Sequence, residues 1–325
     1  MSPEPRDRDP GLTGRRTRGD APARGRPRSA RVPASTPRTA SWGLPTGDLP
    51  LDRPRILGIV NVTPDSFSDG GRFLSPEAAV AHGERLVAEG ADVLDIGGES
   101  TRPQGATPVT AEEELRRVLP VVRALRRRFP AVPLSVDTVK SAVAAAVLAE
   151  GAAIINDVSA FRLDAGMPGA CATAGAAVIL MHSRGGVQDM ATFEHARYGA
   201  DVMGEVIAEL REAIAVAERA GVRRDRIALD PGIGFAKRTE HSLAALAGLD
   251  RLAALGYPVV VGVSRKRVVG ELSGAADPGD RVEGTTGANV MALALGARIF
   301  RVHDVRAARR ALDVAWAIVR GREPA

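Results

Sequence analysis

The chain has 325 residues, of which 45% are hydrophobic and only 3% aromatic, so a large core must be built mainly from aliphatic side chains. A single cysteine, Cys171, excludes an internal disulfide, and no apolar run approaches the roughly 18 residues that a membrane-spanning helix needs. The formal net charge is +5, and this excess lies in residues 1–50, which hold ten arginines and five acidic residues. We therefore expect a cytoplasmic protein that makes no membrane contact and keeps its cysteine reduced and buried.

Residues 1–50 differ in composition from the rest of the chain. They contain nine of the 22 prolines and show almost no apolar periodicity, so they bury too little surface to offset the entropy lost on ordering. We predict a disordered Arg/Pro-rich tail over residues 1–50, dispensable for activity, and a single domain over residues 51–325. Binding of RNA by the tail is an alternative, but no aromatic pattern typical of an RNA-binding module accompanies the arginines. Nucleic acid is therefore not an expected partner.

From about residue 55 onwards, short β-branched runs alternate with segments of helical periodicity. Helix starts are marked by Ser75 with Pro76 and by a capping box that begins at Thr110. The eight predicted strands are 56–61, 91–98, 133–138, 152–159, 176–182, 226–232, 258–264 and 298–304. Eight apolar strands that alternate with amphipathic helices favour a closed (β/α)8 TIM barrel, a fold of the α/β class. An open doubly wound sheet is the alternative, although no Gly-x-Gly-x-x-Gly motif follows the first strand.

Polar side chains follow every predicted strand, at the point where the apolar run ends. In chain order they are Asn61, Asp95, Asp137, Asn156, His182, Asp230, Ser264 through Lys266, and Arg301 with His303. The carboxyl ends of parallel strands all emerge at one end of a barrel, so we expect these groups to share one mouth, where such barrels carry out chemistry. Any one of them alone fits a strand-end or helix cap, but the amino ends of the strands show no comparable set.

The residue types at this mouth suit a ligand that is planar at one end and anionic at the other. Asp137, Asn156 and Asp230 can accept hydrogen bonds from an edge with several N–H donors, such as that of an amino-oxo heterocycle. Basic residues supply positive charge for an anion, most simply a phosphate. They are Arg102, Lys266, Arg301 and His303. Any metal would be Mg²⁺, held by an oxygen ligand, substrate phosphates and water, since no His/Cys/Asp cluster has tight metal spacing.

No sequence motif places a nucleophile beside a base. Ser264 lacks a Gly-x-Ser-x-Gly setting, and Cys171 lacks a nearby histidine. This pattern favours an enzyme that orients two substrates and stabilises a leaving group over one that forms a covalent intermediate.

The segments after the first two strands are long and rich in glycine. One, TPDSFSDGG, carries Asp65, Phe67 and Asp69, and the other, GGESTRPQGATP, carries Arg102. Long glycine-rich loops over a barrel mouth are typical of lids that close on bound substrate. Plain linkers are the alternative, but they give no reason for this combination of charged and aromatic side chains.

Eight short motifs, one at each strand end, occur in a recognisable order. They are NVTPDSFSDGG (61–71), DIGGESTRP (95–103), SVDT (135–138), NDVS (156–159), LMH (180–182), DPGIGFAK (230–237), SRKR (264–267) and RVHD (301–304). Over about residues 55–320 the chain resembles the dihydropteroate synthase family. The resemblance implies a Mg²⁺-dependent transferase that joins p-aminobenzoate to 6-hydroxymethyl-7,8-dihydropterin diphosphate, with release of pyrophosphate and 7,8-dihydropteroate. It also implies an SN1-like mechanism and a homodimer packed through the last helices.

The resemblance further assigns roles to individual residues. Those that would bind the pterin diphosphate are Thr101, Asp137, Asn156, Asp230, Lys266, Arg301 and His303. Those that would build the p-aminobenzoate pocket are Phe67, Arg102, Pro103 and Ser264. Asn61 would ligate Mg²⁺. The catalytic residues would be Asp69, which faces the developing cation, together with Arg102 and Lys266.

Two other functions fit parts of the pattern. A pterin-binding methyltransferase that serves a corrinoid protein would share the acids at the pterin edge, but it leaves the TPDSFSD and STRP motifs without a role. An inactive or regulatory homologue is expected to lose some of Asn61, Arg102, Lys266 or Arg301, and all four are present. The synthase is the hypothesis that uses all eight motifs.

The chain contains only three lysines, Lys140, Lys237 and Lys266, and each follows a predicted strand. Elsewhere positive charge is carried by arginine, which is a broad planar donor rather than a compact ammonium on a flexible stem. We predict that Lys266 is needed as an ammonium at the ligand. For Lys140 and Lys237 the sequence indicates only that they lie near the same mouth.

Overall fold

The computed structural model describes residues 40–63, 75–99 and 109–321. The first element within these ranges is an antiparallel hairpin of two short strands, β1 (Ser41–Trp42) and β2 (Leu49–Pro50). Eight parallel strands follow, and the described residues also contain ten α-helices, which lie between these strands and after the last of them.

The hairpin is part of the core. Trp42 is fully buried, and its indole Nε1 donates a 3.0 Å hydrogen bond to the carbonyl of Arg226. Together with Leu44 and Leu51, it packs against side chains near the amino ends of the barrel strands. The prediction of a disordered segment is therefore wrong for residues 41–50, because a buried indole with a satisfied N–H stabilises more than the segment's composition suggests. Residues 1–39 lie outside the described residues, and the dispensability of residues 1–50 for turnover stays a prediction.

Eight parallel strands form the barrel. They are β3 (Arg55–Asn61), β4 (Val93–Gly97), β5 (Leu134–Asp137), β6 (Ile154–Asp157), β7 (Ala177–Met181), β8 (Ile227–Asp230), β9 (Val260–Val261) and β10 (Ile299–Val302). Their hydrogen-bonded order is β8-β7-β6-β5-β4-β3-β10-β9, and a parallel bridge between Leu229 and Val259 joins the two outer strands. This closure confirms the predicted (β/α)8 barrel and is incompatible with an open doubly wound sheet.

Helices follow the barrel strands and cover their outer face. They are α1 (Pro76–Ala88), α2 (Ala111–Arg128), α3 (Ser141–Ala149), α4 (Met167–Thr173), α5 (Val202–Arg219), α6 (Thr239–Ala247), α7 (Leu249–Ala253), α8 (Arg267–Ser273), α9 (Val282–Ala294) and α10 (Val305–Arg320). The Ser75 hydroxyl accepts the N–H of Ala78 at 3.3 Å, and the Thr110 hydroxyl accepts that of Glu113 at 3.2 Å. Both predicted helix starts are therefore confirmed.

Apolar strand residues pack against the helices in one large core cluster, which contains Cys171. The thiol is buried, and burial raises its pKa to about 12, as expected for a structural cysteine. Among residues 40–63, 75–99 and 109–321, no helix has both the length and the apolar composition required to span a bilayer.

Candidate active site

Arg301, at the end of β10, is the centre of a charged network in the barrel mouth. Its Nε donates to Oδ2 of Asp95 at 2.6 Å, and its Nη2 donates to Oδ2 of Asp137 at 2.8 Å. Asp95 is fully buried and also accepts hydrogen bonds from Ser135 at 2.5 Å and Asn156 at 3.2 Å. Four strands, β4, β5, β6 and β10, thus hold one guanidinium between two carboxylates.

The network keeps Arg301 charged, and Asp137 has a pKa close to neutrality. The two carboxylates raise the pKa of Arg301 despite its burial. Burial raises the pKa of Asp137 to about 7, and Arg301 opposes that rise without cancelling it. A carboxyl with a pKa near neutrality can hold a hydrogen bond with a ligand as either donor or acceptor.

Two further charged side chains, Asp230 and Lys266, lie at the end of β8 and at the start of α8. Asp230 is buried, and its Oδ1 accepts the N–H of Gly232 at 2.7 Å. Lys266 donates from Nζ to the carbonyl of Ile233 at 2.6 Å, and the same nitrogen lies 4.5 Å from the ring centre of Phe235. Burial lowers the pKa of Lys266 to about 8, while the charge of Asp230 works against this shift.

Gly262 lies between Arg301 on one side and Asp230 with Lys266 on the other. A Cβ atom at this position would lie 3.7 Å from Oδ2 of Asp230, 3.8 Å from Nζ of Lys266 and 3.8 Å from Cβ of Arg301. Any side chain on residue 262 would therefore occupy the space between them. The missing Cβ keeps open a cleft with the Asp230 carboxylate, the Lys266 ammonium and the stem of the Arg301 side chain on its walls.

Ser264 and His303 form a smaller unit on the same mouth. The Ser264 hydroxyl lies 3.0 Å from Nδ1 of His303 and also accepts the backbone N–H of that residue at 3.2 Å. Next to them, Arg265 forms a two-point ion pair with Asp304 rather than facing the cleft. Of the two arginines that flank Lys266, this one is therefore used structurally.

Asn61, at the end of β3, supplies the amide predicted to bind Mg²⁺. Its Oδ1 lies 3.9 Å from the position that a Cβ on Gly97 would take, and Cβ of Asp137 lies 3.7 Å from the same point. The amide oxygen thus faces the edge of the Arg301 network. One neutral oxygen ligand, completed by substrate phosphate oxygens and water, is a donor set that suits Mg²⁺.

A different group of potential metal ligands lies away from the strand ends, at Asp189, Glu194 and His195. Sequence reasoning missed it because the spacing matches no metal motif. Asp189 is already paired with His195 at 2.9 Å and accepts the N–H of Gly186 at 2.6 Å. Since Asp189 and His195 already satisfy each other, we assign no ion to this group.

Five of the residues predicted for the site lie outside the described residues. They are Phe67, Asp69, Thr101, Arg102 and Pro103. The described residues on either side of the second segment are tied together, because Oε1 of Glu99 accepts the N–H of Val109 at 2.7 Å. Lys140 donates to Glu99 at 2.8 Å and to the fully buried Glu114 at 2.7 Å.

The structure brings Asp137, Asn156, Asp230, Lys266 and Arg301 together as predicted. Asp95, which binds both Asn156 and Arg301, was recognised in the sequence as a strand-end residue but was given no role. Only the position of Asp95 at a strand end indicated that it belongs to the site. Neither spacing nor residue type indicates that Arg301 lies against it.

Comparison with known proteins identifies the class. The profile of the pterin-binding enzyme family matches residues 57–303, and the chain belongs to this family. Within it, the chain is a member of the dihydropteroate synthases, which are transferases. It is 44% identical to the dihydropteroate synthase of Mycobacterium leprae over 269 residues, which cover 81% of this chain and 93% of the relative.

Solved structures show the same likeness. The dihydropteroate synthase of Xanthomonas albilineans with 4-aminobenzoic acid is 50% identical, with a TM-score of 0.80, and the match covers 88% of this chain and 100% of the other. The same enzyme in complex with 7,8-dihydropteroate is 48% identical at a TM-score of 0.74, over 85% and 97% of the two chains. A Yersinia pestis dihydropteroate synthase with a bound sulfonamide drug is 41% identical at a TM-score of 0.80, over 86% and 99%.

Proposed function

We propose that this chain condenses 6-hydroxymethyl-7,8-dihydropterin diphosphate with p-aminobenzoate to give 7,8-dihydropteroate and pyrophosphate, a step of folate biosynthesis. The observation that carries the proposal is the shared cleft, in which Arg301 ties Asp95 to Asp137 while Asp230 and Lys266 lie across Gly262. The X. albilineans structures with 4-aminobenzoic acid and with 7,8-dihydropteroate support this choice of substrates.

The pterin ring is the ligand that fits the acids and amide of the cleft. Asp230 accepts from Gly232 with one oxygen, so its other oxygen, near Gly262, can accept from the N–H groups of the pterin edge. Asn156 donates to Asp95, which leaves its amide oxygen to accept from a ligand. Asp137 supplies a third acceptor, and Lys266 donates to the ring acceptors.

The diphosphate is placed at the cationic side of the mouth. Arg301 and His303 contact it there, and Thr101 adds a hydroxyl from the segment after β4. Asn61 would hold the metal ion, which for this donor set would be Mg²⁺ and would neutralise charge on the departing diphosphate. Arg301 stays charged throughout because two carboxylates raise its pKa.

The reaction is SN1-like in this proposal. The bond between the methylene carbon and the diphosphate oxygen breaks first, and Asp69 faces the cation that forms. The aniline nitrogen of p-aminobenzoate then attacks that carbon and loses a proton. Phe67, Arg102, Pro103 and Ser264 form the p-aminobenzoate pocket. Such a mechanism needs orientation and charge stabilisation rather than a protein nucleophile.

We also propose a homodimer packed through the last helices. Large apolar side chains on these helices are exposed: Leu272 (61%), Met291 (61%), Val314 (63%) and Ile318 (57%). A groove of about 380 Å³ between α6, α8 and α9 is lined almost entirely by apolar groups. Burial against a second copy of the same surface would remove this area from water. Light scattering should give twice the chain mass of 34.0 kDa; a single-chain mass would contradict the dimer.

The two alternative functions have less support. A corrinoid-dependent methyltransferase on the same barrel leaves the matched relatives, which are synthases, unexplained. An inactive homologue does not account for the intact contacts of Lys266 and Arg301 within the cleft. The synthase proposal is tested by mass spectrometry of the product: 7,8-dihydropteroate should form from both substrates with Mg²⁺ and disappear when EDTA removes the metal.

A further inference from the structure

Lys237 is a buried cation to which no role has been assigned. It is 1% exposed and one of the largest fully buried side chains of the described residues. Its Nζ donates to the carbonyl of Gly232 at 3.1 Å and to that of Phe235 at 3.2 Å, and it lies 2.8 Å from Nδ1 of His182. Burial lowers the pKa of Lys237 to about 7, and the charge of Asp230 opposes this shift. In the protonated form its three partners account for the three hydrogens of the ammonium, and all three are neutral acceptors.

The groups that enclose the Lys237 nitrogen form a socket, and His182 is one of them. Burial lowers the pKa of His182 to about 4, so its ring is neutral and Nδ1 can accept from the ammonium. Its other nitrogen, Nε2, lies 3.0 Å from Oε2 of Glu209 on α5. The ring of Tyr198 closes the socket, with its centre 5.7 Å from the ammonium.

Lys237 holds a segment whose backbone is unusual. Between β8 and α6, three residues have positive φ angles: Gly232 at 67°, Gly234 at 78° and Ala236 at 46°. The left-handed conformation is unfavourable for Ala236, which carries a Cβ. The two carbonyls that accept from Lys237 belong to Gly232 and Phe235, and they bracket this turn.

The same turn also binds Lys266, the lysine of the cleft. The Ile233 carbonyl, between the two that Lys237 binds, accepts from Nζ of Lys266 at 2.6 Å, and the Phe235 ring lies 4.5 Å from that nitrogen. The turn also orients Asp230 through the N–H of Gly232. The two turn residues whose carbonyls bind Lys237 therefore also contact the cleft, since the N–H of Gly232 binds Asp230 and the ring of Phe235 lies against Lys266.

We propose that Lys237 is a positioning residue: its buried ammonium locks the 231–236 turn and thereby places the Lys266 ammonium beside Asp230 for the pterin ring. The inference rests on the proposed function. An arginine cannot replace it, because a broad guanidinium does not fit a socket formed by three acceptors that converge on one nitrogen.

The test uses Lys237→Met, which keeps the length of the side chain and removes all three donors. We expect the affinity for pteroic acid to fall about tenfold and kcat/KM for the dihydropterin diphosphate to fall about thirtyfold, mainly through KM. Hydrogen exchange of the amides in residues 231–237 should accelerate without any ligand, since the turn is no longer held. Lys237→Gln, which keeps one donor group, should give intermediate values and guards against a variant that does not fold.

Arg309→Met is the matched control. Arg309 is a partly buried cation on α10 that donates to the carbonyl of Pro54, at the amino end of the barrel. Its loss should lower stability but leave pteroic acid affinity and exchange in residues 231–237 unchanged. Unaltered exchange and affinity in Lys237→Met would overturn the inference. A wild-type chain that makes no dihydropteroate would instead contradict the proposed function, and the exchange result would still decide whether Lys237 holds the turn.

Discussion

Replacement of Arg301 by methionine should lower kcat/KM for the dihydropterin diphosphate by about a thousandfold, or ~4 kcal/mol of transition-state stabilisation. The guanidinium is the only described group that hydrogen-bonds both Asp95 and Asp137, and it lies where the diphosphate is proposed to bind. The same change should reduce the free energy of unfolding by about 3 kcal/mol, because it leaves a fully buried carboxylate at Asp95 without its cation.

Two further variants separate these effects. Arg301→Lys restores one positive charge but cannot reach both carboxylates, so stability should recover more than activity does. In the double variant Arg301→Met with Asp137→Asn, one of the stranded charges is gone. Its stability should therefore exceed that of Arg301→Met, while its activity stays low. Wild-type activity in Arg301→Met would show that the network is structural only.

Lys266→Arg, although it conserves charge, should lower kcat/KM for the same substrate by about a hundredfold. The Lys266 ammonium fits between the Ile233 carbonyl and the Phe235 ring. The Cδ atom of Lys266 lies 3.4 Å from the position that a Cβ on Gly234 would take. A planar guanidinium is too broad for this space and would be displaced into the cleft. The fold should be preserved, and the thermal unfolding midpoint is the check.

The dependence of kcat/KM on pH should also differ between the wild type, with Lys266, and the Lys266→Arg variant. The pKa of Lys266 is lowered to about 8 by burial, with Arg301 adding to the shift and Asp230 and Asp137 opposing it. Below this pKa the ammonium is charged, and above it the charge is lost, so wild-type kcat/KM should fall as the pH rises through about 8. An arginine stays charged, so the variant should lack this alkaline fall. Near-normal turnover in Lys266→Arg would refute the role given to the ammonium.

The barrel could be predicted from the sequence because each strand is an apolar run that ends in a polar residue. Asp137, Asn156, Asp230 and Arg301 all lie where that rule puts them, since parallel strands bring their carboxyl ends to one mouth. The position of the network within the mouth could not be predicted. Arg301 and Asp95 are 206 residues apart, and only the closure of β10 onto β3 brings them together.

Two features were misread or left without a role for a related reason. The hairpin at Trp42 was assigned to a disordered tail because its composition is polar and proline-rich, yet a single indole inserted beneath the barrel orders it. Lys140 and Lys237 were located correctly but without a function. Their partners, two glutamates in one case and backbone carbonyls with a histidine in the other, come from separate elements and are not apparent from local sequence.

Pyrophosphate release by the purified chain tests the central claim most directly. With dihydropterin diphosphate, p-aminobenzoate and Mg²⁺ all present, the account predicts steady release of pyrophosphate together with an equal amount of 7,8-dihydropteroate. Omission of p-aminobenzoate or of Mg²⁺ should abolish that turnover. If the folded wild-type chain releases no pyrophosphate with all three present, or makes none of the dihydropteroate, the assignment of this cleft to dihydropteroate synthesis is contradicted.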